Sequence, residues 1–176
     1  ALIIVDAQNT YRSGVMQLEG VEAALDECAQ LLARARTLKI PVVHIQHDAG
    51  PGSPYDLNAE CGAVADKVAP AAGEAVVGKH YPNSFVGTEL DARLKAAGVK
   101  NLVVVGFMTH MCINSTTRGA FNLGYAVTVP AAATATRALA APDGSVVEAA
   151  ALQVAALTAL ADLFAVVVAD GAAIPD

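Results

Sequence analysis

The chain has 176 residues, 55% of them hydrophobic and 16% charged, with no tryptophan, a composition that suits one close-packed globular domain and excludes disorder. Lys and Arg total 11 against 17 Asp and Glu, so the net charge is -6 with no basic cluster, which argues against nucleic acid and anionic membrane surfaces as partners. No apolar run approaches the ~20 residues that span a bilayer, and the three cysteines, Cys28, Cys61 and Cys112, are widely spaced and form no CxxC pair. A disulfide framework is therefore not expected. With no signal-peptide pattern at the start, a reducing cytoplasm is the expected location. So few charges leave apolar surface to hide, and the chain is expected to self-associate as a dimer or tetramer.

Residues 1–5 (ALIIV) read as a fully apolar strand running into Asp6. A carboxylate at the carboxyl end of a buried strand is costly unless paired or used, and in open α/β sheets ligands bind at those ends. The plainer reading is that Asp6 caps a turn with Asn9. From Val21 the positions Val21, Leu25, Cys28, Leu31, Leu32, Ala35 and Leu38 recur at helical spacing, which predicts an amphipathic helix with Cys28 in its buried stripe, ended by Pro41. Residues 42–46 form a short strand. The glycines and prolines after His47 and Asp48 predict a long loop to about Gly73, the natural place for a substrate lid or subunit contact.

Residues 75–79 read as a third strand ending in Lys79, followed by a turn at Pro82-Asn83-Ser84-Phe85. Thr88 with Asp91 reads as a capping box for a helix stopped by Gly98, and Ser145 with Glu148 as a second one, for a helix with the stripe Val147, Ala150, Val154, Leu157 and Ala161. Between them, residues 101–105 form a valine-rich buried strand. Thr109 is the expected N-cap of a helix to about Leu123 that carries Cys112 at its third position, with Gly124 as its stop. Backbone N–H groups and the helix dipole there favour a thiolate, although a free cysteine is also a common buried core residue. Residues 125–129 form a fifth strand, 133–140 a loop with a short helix, and 164–168 a final strand. Strands alternating with helices predict a mainly parallel sheet of about six strands between two helical layers. Asp6, Lys79 and Cys112 then stand at or just past three strand ends that face one side.

These residues carry a resemblance. Leu2-Ile3-Ile4-Val5-Asp6-Ala7-Gln8, then Lys79 with Asn83-Ser84-Phe85 and Gly87-Thr88-Glu89-Leu90, then the run from Gly106 to Cys112 with Thr116-Thr117-Arg118, resemble the isochorismatase-like cysteine hydrolases. The resemblance implies a Rossmann-like α/β/α fold with strand order 3-2-1-4-5-6. It also implies an Asp-Lys-Cys triad on Asp6, Lys79 and Cys112, a cis peptide between Phe107 and Met108, and an oxyanion hole from the backbone N–H groups of Met108 and Cys112. In that order of strands Lys79 starts two strands from Asp6 and must reach across on its long side chain or an irregular strand end.

With that triad, Lys79 lowers the thiol pKa, Asp6 takes the thiol proton and returns it to a leaving amine, and Cys112 attacks a carbonyl. The expected activity is hydrolysis of a C–N bond in a small amide, imide or ureide. The alternatives are a vinyl-ether hydrolase that uses Asp6 as acid, and a catalytically silent small-molecule binder. Asn9, Tyr11, Phe85 and Phe107 are the expected substrate contacts, with His110, which either touches substrate or bonds the helix end. No cofactor is expected, and no metal. Metal-dependent relatives carry Asp-x-His where this chain has His47-Asp48-Ala49, and His44 and His47 fall on opposite faces of an extended strand.

Overall fold

The computed structural model describes residues 1–175. In chain order the elements are β1 (Leu2–Val5), α1 (Val21–Thr37), β2 (Val42–His47), β3 (Ala75–Lys79), α2 (Leu90–Ala96), β4 (Asn101–Phe107), α3 (Asn114–Asn122), β5 (Ala126–Pro130), β6 (Thr134–Ala135), β7 (Leu139–Ala140), β8 (Val146–Val147), α4 (Ala149–Ala161) and β9 (Val166–Val168). The main sheet runs β3-β2-β1-β4-β5-β9, with β6 added beside the end of β4, and its pairings are parallel. This is the expected order, with β9 in sixth place because three two-residue strands come before it. No helix among the described residues is long and apolar enough to cross a membrane.

β1 lies at the centre and all four of its residues are buried. Side chains alternate across a strand, so Leu2 and Ile4 join one core cluster with Leu25, Cys28 and Leu32 of α1. Ile3 and Val5 join a second, with Leu90 and Leu94 of α2, Ala120 of α3 and Leu157 and Leu160 of α4. Burying each isoleucine contributes about 1.5–3 kcal/mol. The α1 stripe is the predicted one from Val21 to Ala35, with Ala24 added, while Leu38 falls beyond the helix and is exposed. Cys28 packs in the core as expected, and burial pushes its thiol up to about 12.

Gly106 fixes how closely β1 and β4 approach. It is in register with Val5, its φ is 110°, and a Cβ there would lie 2.0 Å from the Val5 carbonyl oxygen. Gly106→Ala is therefore expected to destabilise the fold by about 3 kcal/mol or more, which for a chain of this size lowers the melting temperature by about 6–12 °C. A variant that melts with the wild type in thermal denaturation would contradict this reading of the approach.

Four local expectations are corrected. Ser145 forms no box with Glu148: its N–H and hydroxyl both donate to the Asp143 carboxylate, which closes that turn, and Glu148 precedes α4 without a side-chain cap. The stripe predicted for α4 has the wrong phase, since Val154 is 65% exposed and the buried residues are Ala149, Ala156, Leu157 and Leu160. With an apolar residue at nearly every position, periodicity could not orient this helix. Thr88 and Asp91 also form no reciprocal box. The Thr88 hydroxyl donates to the Ser84 carbonyl and accepts from the Leu90 N–H, whereas Asp91 accepts from the Tyr125 hydroxyl and from Lys95. The segment expected as a loop with a short helix is a 3-10 turn, Ala131–Ala133, followed by β6 and β7.

Candidate active site

Asp6 follows β1 with φ 49°, a left-handed conformation that aspartate tolerates better than most residues. The turn reverses the chain, with the Gln8 N–H donating to the Asp6 carbonyl, and leaves the carboxyl fully buried. It does not cap a turn with Asn9, whose side-chain amide donates instead to the Glu60 carbonyl. Lys79 ends β3 in register with His47, whereas Val5 is in register with Ile45. Lys79 thus stands beyond the end of β1, and its stem crosses β2 where no further β1 residue blocks it. Its Nζ lies 2.7 Å from Asp6 Oδ2, 3.4 Å from Cys112 Sγ and 3.1 Å from His47 Nδ1.

Cys112 reaches this point from the other side of β1. The peptide between Phe107 and Met108 is cis. Beyond it the chain enters a π turn, Thr109–Ile113, in which the Ile113 N–H donates to the Met108 carbonyl, before α3 begins at Asn114. Thr109 is therefore not an N-cap, and its buried hydroxyl has no partner. Cys112 lies inside the π turn and is 5% exposed.

Burial works against the thiolate that the turn was expected to favour. Burial, reinforced by the Asp6 carboxylate, pushes the Cys112 thiol up to about 12, and Lys79 offsets only part of this. Burial raises the Asp6 pKa as well, against the pull of Lys79 and of the Cys112 thiol hydrogen-bonded to it. Asp6 and Cys112 are thus two acids, each made harder to ionise by burial, that both meet the Lys79 side chain. A buried charged pair of this kind gives little net stability, whereas strongly perturbed ionisable groups brought together in one place mark functional sites.

The surroundings divide into packing and site. Tyr11, nearly fully buried, packs edge-on to Phe107 and to Tyr55, and Tyr55 packs edge-on to His47 with centroids 4.8 Å apart. Phe85 stacks on Tyr125 and packs against the second core cluster, so its observed role is structural. Its neighbour Ser84 bonds Thr116 of α3 through both N–H and hydroxyl, which docks the turn after β3 onto the helix that follows Cys112. His110 bonds the Thr136 hydroxyl and not the helix end, and its buried Nε2 has no partner.

Two residues were not singled out by the sequence pattern. Buried Gln8 donates to the carbonyls of His47 and Gly62 and accepts from the His47 N–H, tying β1, β2 and the long loop together beside the site. Its signal was a polar residue two positions past Asp6. Tyr55 comes from an irregular loop and had no sequence signal. Of the strand histidines, His44 is buried with Nε2 2.9 Å from Glu74, itself paired with Arg36, while His47 faces Lys79. Burial and the neighbouring ammonium push His47 down to about 4, so it is neutral and its Nδ1 accepts from Lys79. No cluster of three or more His, Cys, Asp or Glu able to hold a metal occurs among the described residues.

Comparison with known proteins agrees with this architecture. A family model described as the isochorismatase domain matches residues 1–169. The chain is 35% identical over 168 residues to the secreted isochorismatase effector Isc1 of Verticillium dahliae, covering 95% of this chain and 86% of that protein. It is 30% identical over 161 residues to the ureidoacrylate amidohydrolase RutB of Azorhizobium caulinodans, covering 71% of each. Among solved structures, an isochorismatase from Pseudomonas putida KT2440 superposes with a TM-score of 0.95 at 37% identity, over 99% of this chain and 89% of that one. The chain belongs to the isochorismatase family of hydrolases.

Proposed function

We propose that this protein hydrolyses a C–N bond of a small amide, imide or ureide through a thioester on Cys112, with Asp6 and Lys79 completing a triad. The observation that carries this reading is the buried meeting of a carboxyl, an ammonium and a thiol, with Nζ 2.7 Å from Asp6 and 3.4 Å from Cys112. Similarity to a ureidoacrylate amidohydrolase supports the bond type. The thiol gives its proton to Asp6 as Sγ bonds the substrate carbonyl carbon and the carbonyl electron pair moves to oxygen. Backbone N–H groups of Met108 and Cys112 receive that oxyanion, each donor being worth about 10²–10³ in rate. On collapse the C–N bond breaks and the Asp6 proton goes to the leaving amine. Water then adds to the thioester, passes a proton to Asp6, and the C–S bond breaks to restore the thiol. Lys79 supplies a fixed positive charge beside the negative charge as it moves from carboxylate to sulfur.

No step needs a metal. The strand histidines are engaged elsewhere, His44 with Glu74 and His47 with Lys79. Dialysis against a strong chelator is expected to leave turnover unchanged, and a loss that zinc restores would contradict this. A panel of small amides, imides and ureides assayed for ammonia or amine release tests the reaction class. Release that depends on Cys112 supports it. Activity confined to enol ethers and independent of the thiol would replace it with the acid-catalysed reaction.

The protein is also proposed to act as a homo-oligomer. Val154 of α4, Leu163 beyond it and Val166 of β9 are each more than 60% exposed, on a helix without a charged residue. Sedimentation at micromolar concentration is expected to give a dimer or tetramer, and a monomer would contradict it. Three free cysteines suit a reducing compartment.

A further inference from the structure

We infer that His47 is a positioning residue for the reaction: its Nδ1 takes one hydrogen bond of the Lys79 amine and holds that group at the sulfur while charge moves between Asp6 and Cys112. The inference rests on the triad reading and extends it by one residue. His47 ends β2 in register with Lys79 at the end of β3, so the two side chains leave neighbouring strands on the same face of the sheet. A lysine ammonium donates in three directions. Three acceptors surround this one, Asp6 Oδ2 at 2.7 Å, His47 Nδ1 at 3.1 Å and Cys112 Sγ at 3.4 Å.

His47 is itself held from several sides. Buried Gln8 donates to its carbonyl and accepts from its N–H, which fixes the backbone, and the Tyr55 ring packs edge-on to the imidazole with centroids 4.8 Å apart. A lysine that reaches across a strand on a flexible stem is confined best by an acceptor that is already fixed. The contact also differs from the other two in its fate during turnover. Asp6 gains and returns a proton and the sulfur gains and loses a bond to carbon, so both of their contacts with Nζ change. The imidazole keeps one charge state throughout: burial, Lys79 and His80 push it down to about 4, with Asp48 opposing. Its acceptor is therefore present through neutral pH, and it keeps Lys79 beside the sulfur when the Asp6 carboxyl carries the proton.

Histidine, asparagine and leucine all branch at Cγ, so His47→Leu removes the δ acceptor and His47→Asn keeps one. The first readout is alkylation by iodoacetamide, followed by peptide mass at Cys112 so that Cys28 and Cys61 do not count, with circular dichroism to establish folding. Lys79 lowers the Cys112 pKa, so a less well held Lys79 should slow alkylation in His47→Leu by roughly 3–10-fold at a fixed neutral pH. His47→Asn should recover most of the rate. Added to Lys79→Met, His47→Leu should slow alkylation no further, because its effect passes through the amine. On an amide that the protein cleaves, His47→Leu should lower kcat by about 10–100-fold, the range for losing a hydrogen bond to a charged group, with KM little changed. His47→Phe, which keeps a ring for Tyr55 to pack on, replaces His47→Leu if that variant does not fold. Wild-type alkylation and kcat in His47→Leu, an equal loss in His47→Asn, or a full further loss in the Lys79→Met background would overturn the inference and leave the amidase reading standing. Where the wild type cleaves no amide, the amidase reading alone falls, and slowing by His47→Leu that requires Lys79 still supports the positioning role.

Discussion

Cys112→Ala is expected to lower amide turnover by at least ~10³-fold, the scale of losing a covalent nucleophile, while the protein stays folded. The side chain is almost buried, but the change removes one sulfur atom, and a small truncation of this kind costs about 1 kcal/mol. Substrate binding should be largely kept, because the bond that Sγ forms exists only after attack. Cys112→Ser should be nearly as inactive, since a hydroxyl ionises far less readily than a thiol in the same setting. Turnover at known substrate concentrations, with circular dichroism to establish folding, measures both. Substantial amide hydrolysis by a folded Cys112→Ala would show that the thiol is a core residue.

Asp6→Asn is expected to separate two properties that usually fall together, with amide turnover lost and Cys112 becoming more reactive toward an alkylator. The sign follows from the groups around the sulfur. In the wild type the Asp6 charge and its hydrogen bond to the thiol both raise the Cys112 pKa, and only Lys79 lowers it. Asparagine keeps the volume of Asp6 and removes its charge, so the thiolate becomes the anion left beside Lys79 Nζ at 3.4 Å. The thiol pKa then moves down from about 12, and alkylation at pH 7 should rise by roughly tenfold or more. Amide turnover still fails, because no group returns a proton to the leaving amine. Breaking the buried pair with Lys79 should cost about 3–5 kcal/mol of stability, so the comparison belongs well below the melting range. Slower alkylation in a folded Asp6→Asn would show that Asp6 activates the sulfur toward every electrophile.

Much of the fold was legible because its strands are continuous apolar runs and its first helix has a clean stripe. β1 and the stripe from Val21 to Ala35 are buried as the pattern required. α4 was legible as a helix but not in its orientation, since a face cannot be read from a segment that is apolar all round. The convergence of Asp6, Lys79 and Cys112 followed from strand ends sharing one side of a parallel sheet. That Lys79 must reach across β2 followed from the expected strand order, but the route did not, because it depends on how far each strand extends past Val5. The depth of burial of the sulfur was not legible either. Position at a turn argued for a thiolate, and burial, with Asp6 beside the sulfur, acts in the opposite direction. Gln8 and Tyr55 lie on turns and loops whose course no periodicity records.

The central claim is that sulfur becomes bonded to substrate carbon. Rapid-quench intact-mass measurement during turnover of a cleaved amide tests it most directly. The account predicts a transient species heavier than the protein by the acyl group, mapped by peptide mass to Cys112, absent in Cys112→Ala, and decaying at the rate of turnover or faster. Turnover with no such species at any quench time, and retained in Cys112→Ala, would contradict it.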